Sequence, residues 1–155
     1  MTKFRQISFS DLRFCDIKRM AKVSMAIAAL SIGGFIYLIY RSENLLMFDW
    51  FADLGLNDTI LKLRDVFGQI NLWDWTVYNM PGALWLFSYL FLIDSIWEDN
   101  NSYSFKCFIM ILPVAAIVSE LLQFFKIFPG TFDILDVFSY ILSILLYLTI
   151  KISNK

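Results

Sequence analysis

The chain contains no histidine. That absence removes a Ser-His-Asp triad, a Cys-His nucleophile pair and a His-ligated zinc site from consideration. Cysteine is nearly as scarce. Cys15 and Cys107 are the only two in 155 residues, too few for a disulfide framework. Charged residues make up 17% of the chain and nearly cancel at a net charge of −1, so no nucleic-acid partner is expected. With three prolines and six glycines, no linker, low-complexity tract or internal repeat divides the sequence.

What abounds is apolar surface. Hydrophobic residues reach 59%, against roughly 45–50% in soluble domains, and aromatics reach 18%. Mean hydropathy is +0.63. A soluble fold of this length could not hide so much apolar area. Residues 1–155 are therefore read as one small integral membrane domain, and the lipid bilayer is its first partner.

Four segments are long and apolar enough to cross a bilayer of about 30 Å: 23–40, 81–97, 107–125 and 132–152. The expected fold class is all-α, a four-transmembrane-helix bundle. The first span carries no charge and lacks a small-x-small cleavage site after it, so it reads as a retained anchor and not a signal peptide. Gly33 and Gly34 in it permit close helix approach. Pro113 should kink the third span and free the carbonyl of Ile109. Basic residues set the orientation. Lys3, Arg5, Arg13, Lys18, Arg19, Lys22, Lys106, Lys151 and Lys155 fall on one side, and Arg41, Lys62, Arg64 and Lys126 on the other. The basic arm 1–22 and both termini should then be cytoplasmic. Cys15 and Cys107 should face the reducing side as free thiols. Asp94, Glu98 and Asp99, beside Trp97, read as a solvated rim at the inner boundary.

The outer connection, 41–80, is too long for a plain loop. In it Met47, Trp50, Phe51 and Leu54 follow a helical apolar spacing, with Asp49 and Asp53 on another face and Gly55 placed to end the helix. A second short helix should begin at a cap on Asn57 or Asp58 and stop at Gly68. Trp73, Trp75 and Tyr78 follow, as expected at a membrane–water boundary. Two short amphipathic interfacial helices are the reading, serving either as a roof over the bundle or as a lid that grips a ligand or partner.

The polar residues that need explaining lie in "SELLQFFKIFPGTFDILDVF". Glu120 and Gln123 are three residues apart near the end of the third span, and Asp133 and Asp136 three apart at the start of the fourth. Each pair shares a helix face. Counted outward from Phe128, Gln123 matches Asp133 and Glu120 matches Asp136. An antiparallel hairpin would therefore stack two polar rungs, Gln123–Asp133 above Glu120–Asp136, the lower roughly 8–10 Å below the outer end. An ionised acid within a span costs about 2.5–3.5 kcal/mol on insertion scales, so such residues need a use or a partner. Asp133 can instead cap the last helix, with Asp136 favoured in its first turn. Glu120 can instead form an interhelical hydrogen bond to Gln123 or Asp136. No cofactor or metal site is indicated, beyond the option of Mg²⁺ or Ca²⁺ on carboxylate oxygens.

The pattern ExxQ, a Pro-Gly turn and DxxD opening a final span resembles the VanZ-like family of small multi-pass bacterial membrane proteins. The match covers Glu120, Gln123, Gly130, Asp133 and Asp136. The family pattern carries an Arg in the turn before the first Asp, where this chain has Gly130 and Thr131. The segments "SENLLMFDWFADLGL" and "YNMPGALWLFSYLF" look like a group of uncharacterised Bacteroidetes membrane proteins. The resemblance implies a multi-pass protein of the bacterial cytoplasmic (inner) membrane. It also implies a cell-envelope role without an agreed chemistry, and the first reading is a lipid or cell-wall-related ligand bound without catalysis at Glu120, Gln123, Asp133 and Asp136. Two other classes stand beside it: a small subunit, immunity or assembly factor that binds a protein partner, and an intramembrane enzyme or proton-coupled transporter using Glu120 and Asp136.

Overall fold

A sequence this rich in leucine, isoleucine and phenylalanine, with its prolines confined to three positions, satisfies its backbone most simply as helix. The computed structural model describes the backbone of residues 9–97 and 102–153, with side chains from residue 16. Lys3, Arg5, Glu98, Asp99 and Lys155 lie outside the described residues, as do the side chains of Arg13 and Cys15. The described residues are all helix and turn: α1 Phe9–Tyr40, α2 Leu46–Asp53, α3 Asn57–Phe67, α4 Asp74–Tyr78, α5 Met80–Trp97, α6 Tyr103–Phe124 and α7 Ile134–Ser153.

Four of these helices, α1, α5, α6 and α7, are long and apolar enough to cross a membrane. Their bounds differ from the expected spans mainly at the starts. α1 runs back through the basic arm to Phe9. α6 begins at Tyr103 because the Ser102 side chain accepts the Phe105 N–H at 3.2 Å and caps the helix there. Between α1 and α5 stand three short helices where two were expected. The extra one, α4, has five residues, too few to leave a periodic signature.

α5 is the hub, packing against α1, α6 and α7, while α6 and α7 form the expected hairpin. Small residues make this possible. A methyl added at Gly33 of α1 would come within 3.1 Å of Trp85 and 3.2 Å of Leu84, so the glycine allows the two helices to close up; Gly34 faces open space. On the other side Ser143 of α7 donates its hydroxyl to the Ala83 carbonyl at 2.8 Å. Ala26, Leu86, Leu90, Phe91 and Tyr147 form the core, with Phe91 and Tyr147 edge to face at 5.3 Å. Tyr89 donates to the carbonyl of Phe108, one residue before the carbonyl that Pro113 deprives of its helical donor.

α2 and α3 lie at the end of the bundle where α1 ends and α5 begins. Gly55 adopts φ +70° and ends α2 as expected. The start of α3 has no side-chain cap: the capping position is Leu56, not Asn57 or Asp58. The inward residue of α2 is Phe48, under the Arg64 guanidinium at 5.3 Å. Trp50 and Leu54 of the expected apolar stripe are turned away from the protein, Leu54 being 70% exposed.

The end of the bundle opposite these short helices corrects the sequence reading. Asp94 is no solvated rim: it is 1% exposed. Lys22 of α1 reaches its Oδ2 at 2.8 Å, and Lys151 of α7 pairs with its Oδ1. The Tyr147 hydroxyl donates to the same Oδ1 at 3.1 Å. Lys151 also stands 4.5 Å over the Phe105 ring, so α6 joins this cluster through the lysine. Cys107 is an exposed free thiol.

Candidate functional site

α6 ends in a tight turn. Lys126 takes a left-handed φ of 58°, and the N–H groups of Lys126 and Ile127 return to the carbonyls of Gln123 and Leu122 at 2.9 Å each. Gly130 then adopts φ +135°, and a Cβ there would lie 2.9 Å from the Gln123 amide. Glycine is needed both for the backbone and for the room it leaves Gln123.

The hairpin brings the predicted acids to one place, with partners that differ from the two matched rungs. Glu120 is 4% exposed, and its Oε2 accepts the backbone N–H of Asp133 at 3.4 Å. Asp133 Oδ1 accepts the Leu135 N–H at 2.9 Å, which makes it the expected cap of α7. Asp133 and Asp136 are joined by a residue that the sequence did not flag. The Asn79 side-chain amide donates to Asp133 Oδ2 at 3.0 Å and to Asp136 Oδ1 at 2.9 Å. Gln123 sits beside Gly130 instead of forming a rung with Asp133. The three carboxylates lie within electrostatic reach of one another, and Tyr140 within reach of Asp136 and Glu120.

α4 puts Asn79 there. The indole N–H of Trp75 donates to Ser139 Oγ of α7 at 2.9 Å, docking α4 against the last span. One turn later the Asn79 carbonyl accepts the Ala83 N–H at 3.2 Å, so Asn79 is the hinge between α4 and α5 and is 2% exposed. A guanidinium also comes near, though from α1 and not from the hairpin turn. Arg41 lies between the rings of Tyr37 at 5.4 Å and Tyr78 at 5.1 Å, within electrostatic reach of Asp136. Its Nε is buried and meets no acceptor among the described residues.

Three carboxylates stand near one guanidinium, so those that ionise would favour a cationic group of a ligand. Among the described residues no three His, Cys, Asp or Glu side chains are arranged to hold a metal ion, so the Mg²⁺ or Ca²⁺ option gains no support. Asn79 carried no signal of its own, since its partners are 54 and 57 residues away. The one available hint was an amide directly before "MPG", at the mouth of a span.

Comparison of the chain with protein families, with curated proteins and with solved structures finds no match in any of the three.

Proposed function

We propose that this is a VanZ-like envelope protein of the bacterial cytoplasmic membrane. In this reading it binds, without catalysis, a lipid or cell-wall-related ligand through a positively charged group. The reading rests on one observation: Asp133 and Asp136 share the buried amide of Asn79, and Glu120 accepts the Asp133 backbone N–H beside them, at the end of two apolar helices. Carboxylates held there without a matching number of cations are costly in a bilayer, and a ligand ammonium would offset that cost. Glu120→Gln tests it, because the amide keeps the shape and the bond from Asp133. The full-length protein would be extracted in native nanodiscs and its retained lipids identified by mass spectrometry. Wild type should enrich an amine-bearing lipid or lipid-linked species, and Glu120→Gln should lose that enrichment by about tenfold or more, as expected for a charge-assisted contact. Identical lipid profiles would reject the reading.

The same proposal sets the topology: both termini in the cytoplasm, with α2 and α3 lying on the outer leaflet. Trp50, Leu54, Val66, Ile70 and Trp73 support it, being apolar and turned to the surroundings, Trp73 at 83% exposure. A reporter fused after Lys155 should be active only in the cytoplasm, and bromolipids should quench tryptophan emission strongly in wild type but less in a Trp50→Phe/Trp73→Phe variant. A periplasmic reporter signal would invert the orientation, and equal quenching would lift the helices off the membrane.

A further inference from the structure

At the same end of the bundle as the carboxylates, Tyr40, Gln69, Asn71, Asp74 and Tyr78 line a cavity of about 380 Å³. That is within the range of small-molecule sites, roughly 300–1,000 Å³. Its walls are tied together from three directions. The Tyr40 hydroxyl lies 3.0 Å from the Phe67 carbonyl and 3.1 Å from that of Ile70, fastening the end of α1 to the segment after α3. Arg64 of α3 donates to the carbonyls of Leu38 at 2.7 Å and Arg41 at 2.9 Å. Arg41 in turn donates to the Tyr78 carbonyl at 3.4 Å and stacks over its ring, fixing α4. Walls held in place before a ligand arrives reduce the ordering that binding must impose.

The chemistry of the lining narrows the ligand. Asp74 supplies a carboxylate, which repels anions and accepts hydrogen bonds. Asn71 and Gln69 supply amides, which both donate and accept. The Gln69 amide donates to the Asp65 carbonyl at 3.0 Å, and this fixes its plane. The two tyrosines add aromatic area with polar tips. A neutral ring bearing several hydroxyls answers all of these at once: its hydroxyls donate to Asp74 and the amide oxygens and accept from the amide N–H groups, while its C–H face packs on aromatic area. Tyr78 lines this cavity, and the next residue, Asn79, holds the carboxylate cluster. The two sites are therefore positioned by consecutive residues at the end of α4.

The geometry points to this cavity as the site for a neutral sugar unit, carried by the same ligand whose charged group occupies the carboxylate cluster; the inference rests on the function proposed above. The test uses the full-length protein in nanodiscs and uncharged, lipid-free probes, methyl glycosides of hexoses and N-acetylhexosamines, read by saturation-transfer NMR. Wild type should show saturable transfer from at least one glycoside. Asn71→Ala/Asp74→Ala, at two exposed positions, should weaken it by about tenfold or more, since hydrogen bonds to a charged acceptor are lost. Glu120→Gln should bind the glycoside within about twofold of wild type, because the probe carries no charge for that cluster to recognise. No saturable transfer with any glycoside, or equal transfer in the cavity variant, would overturn the inference. Loss of lipid selectivity in Glu120→Gln with glycoside binding intact would support it, so failure of the lipid reading is distinguishable from failure of the sugar site.

Discussion

Replacing Asp94 with alanine should destabilise the protein by roughly 3–5 kcal/mol, measured as a large fall in unfolding temperature in detergent, because it strands charge that was buried as a pair. The carboxylate joins Lys22, Lys151 and the Tyr147 hydroxyl. Each lysine side chain is 20% exposed, which lets the ammonium groups turn partly toward water and places the expected value at the lower end of that range. Asp94→Asn, which keeps shape but not charge, should fall between alanine and wild type. Removing all three charges together, as Lys22→Met/Asp94→Leu/Lys151→Met, should bring stability back to within about 1–2 kcal/mol of wild type. If Asp94→Ala costs under about 1 kcal/mol, the group behaves as a solvated surface pair and the burial argument is wrong.

Asn79→Leu should be nearly as damaging, and it should also remove ligand selectivity. It deletes two hydrogen bonds to carboxylates, each contributing roughly 1.5–3 kcal/mol, and leaves Asp133 and Asp136 side by side without their shared donor. Asn79→Asp should be worse, since it removes the shared donor and sets a fourth carboxyl group against Asp133 and Asp136. By contrast Ser139→Ala, which removes only the acceptor of the Trp75 indole, should cost about 1 kcal/mol and leave lipid retention intact. The two readouts together decide the role of the amide. If Asn79→Leu keeps both stability and lipid profile, the bridge is incidental.

The long helices were legible because a bilayer demands a fixed length of uninterrupted apolar sequence, and α5 fell within one residue of its expected start. Spacing also placed Glu120, Asp133 and Asp136 near one another, since equal counts from a turn give equal depth on an antiparallel hairpin. It did not supply their partners, which depend on how each helix is rotated and on which other helix arrives. Asn79 comes from a five-residue helix with no period of its own. Asp94 was misread for the same reason: its place near the end of a span suggests water, but its rotation on α5 points it at α1 and α7. A usable signal was present. Lys22, Asp94 and Lys151 are opposite charges at the same depth of three different spans, and such charges tend to be found paired.

The position of Asp94 at the hub bears on how the chain is made. Lys22 is synthesised before Asp94, and Lys151 only after it. The acid therefore enters the bilayer with one cation already available, and acquires the second when the last helix arrives. A nascent chain stopped after α5 would hold a neutral pair, and one completed through α7 a triad. Biogenesis in that order never leaves Asp94 in lipid without a cation, whereas a circular permutant that begins at α5 would.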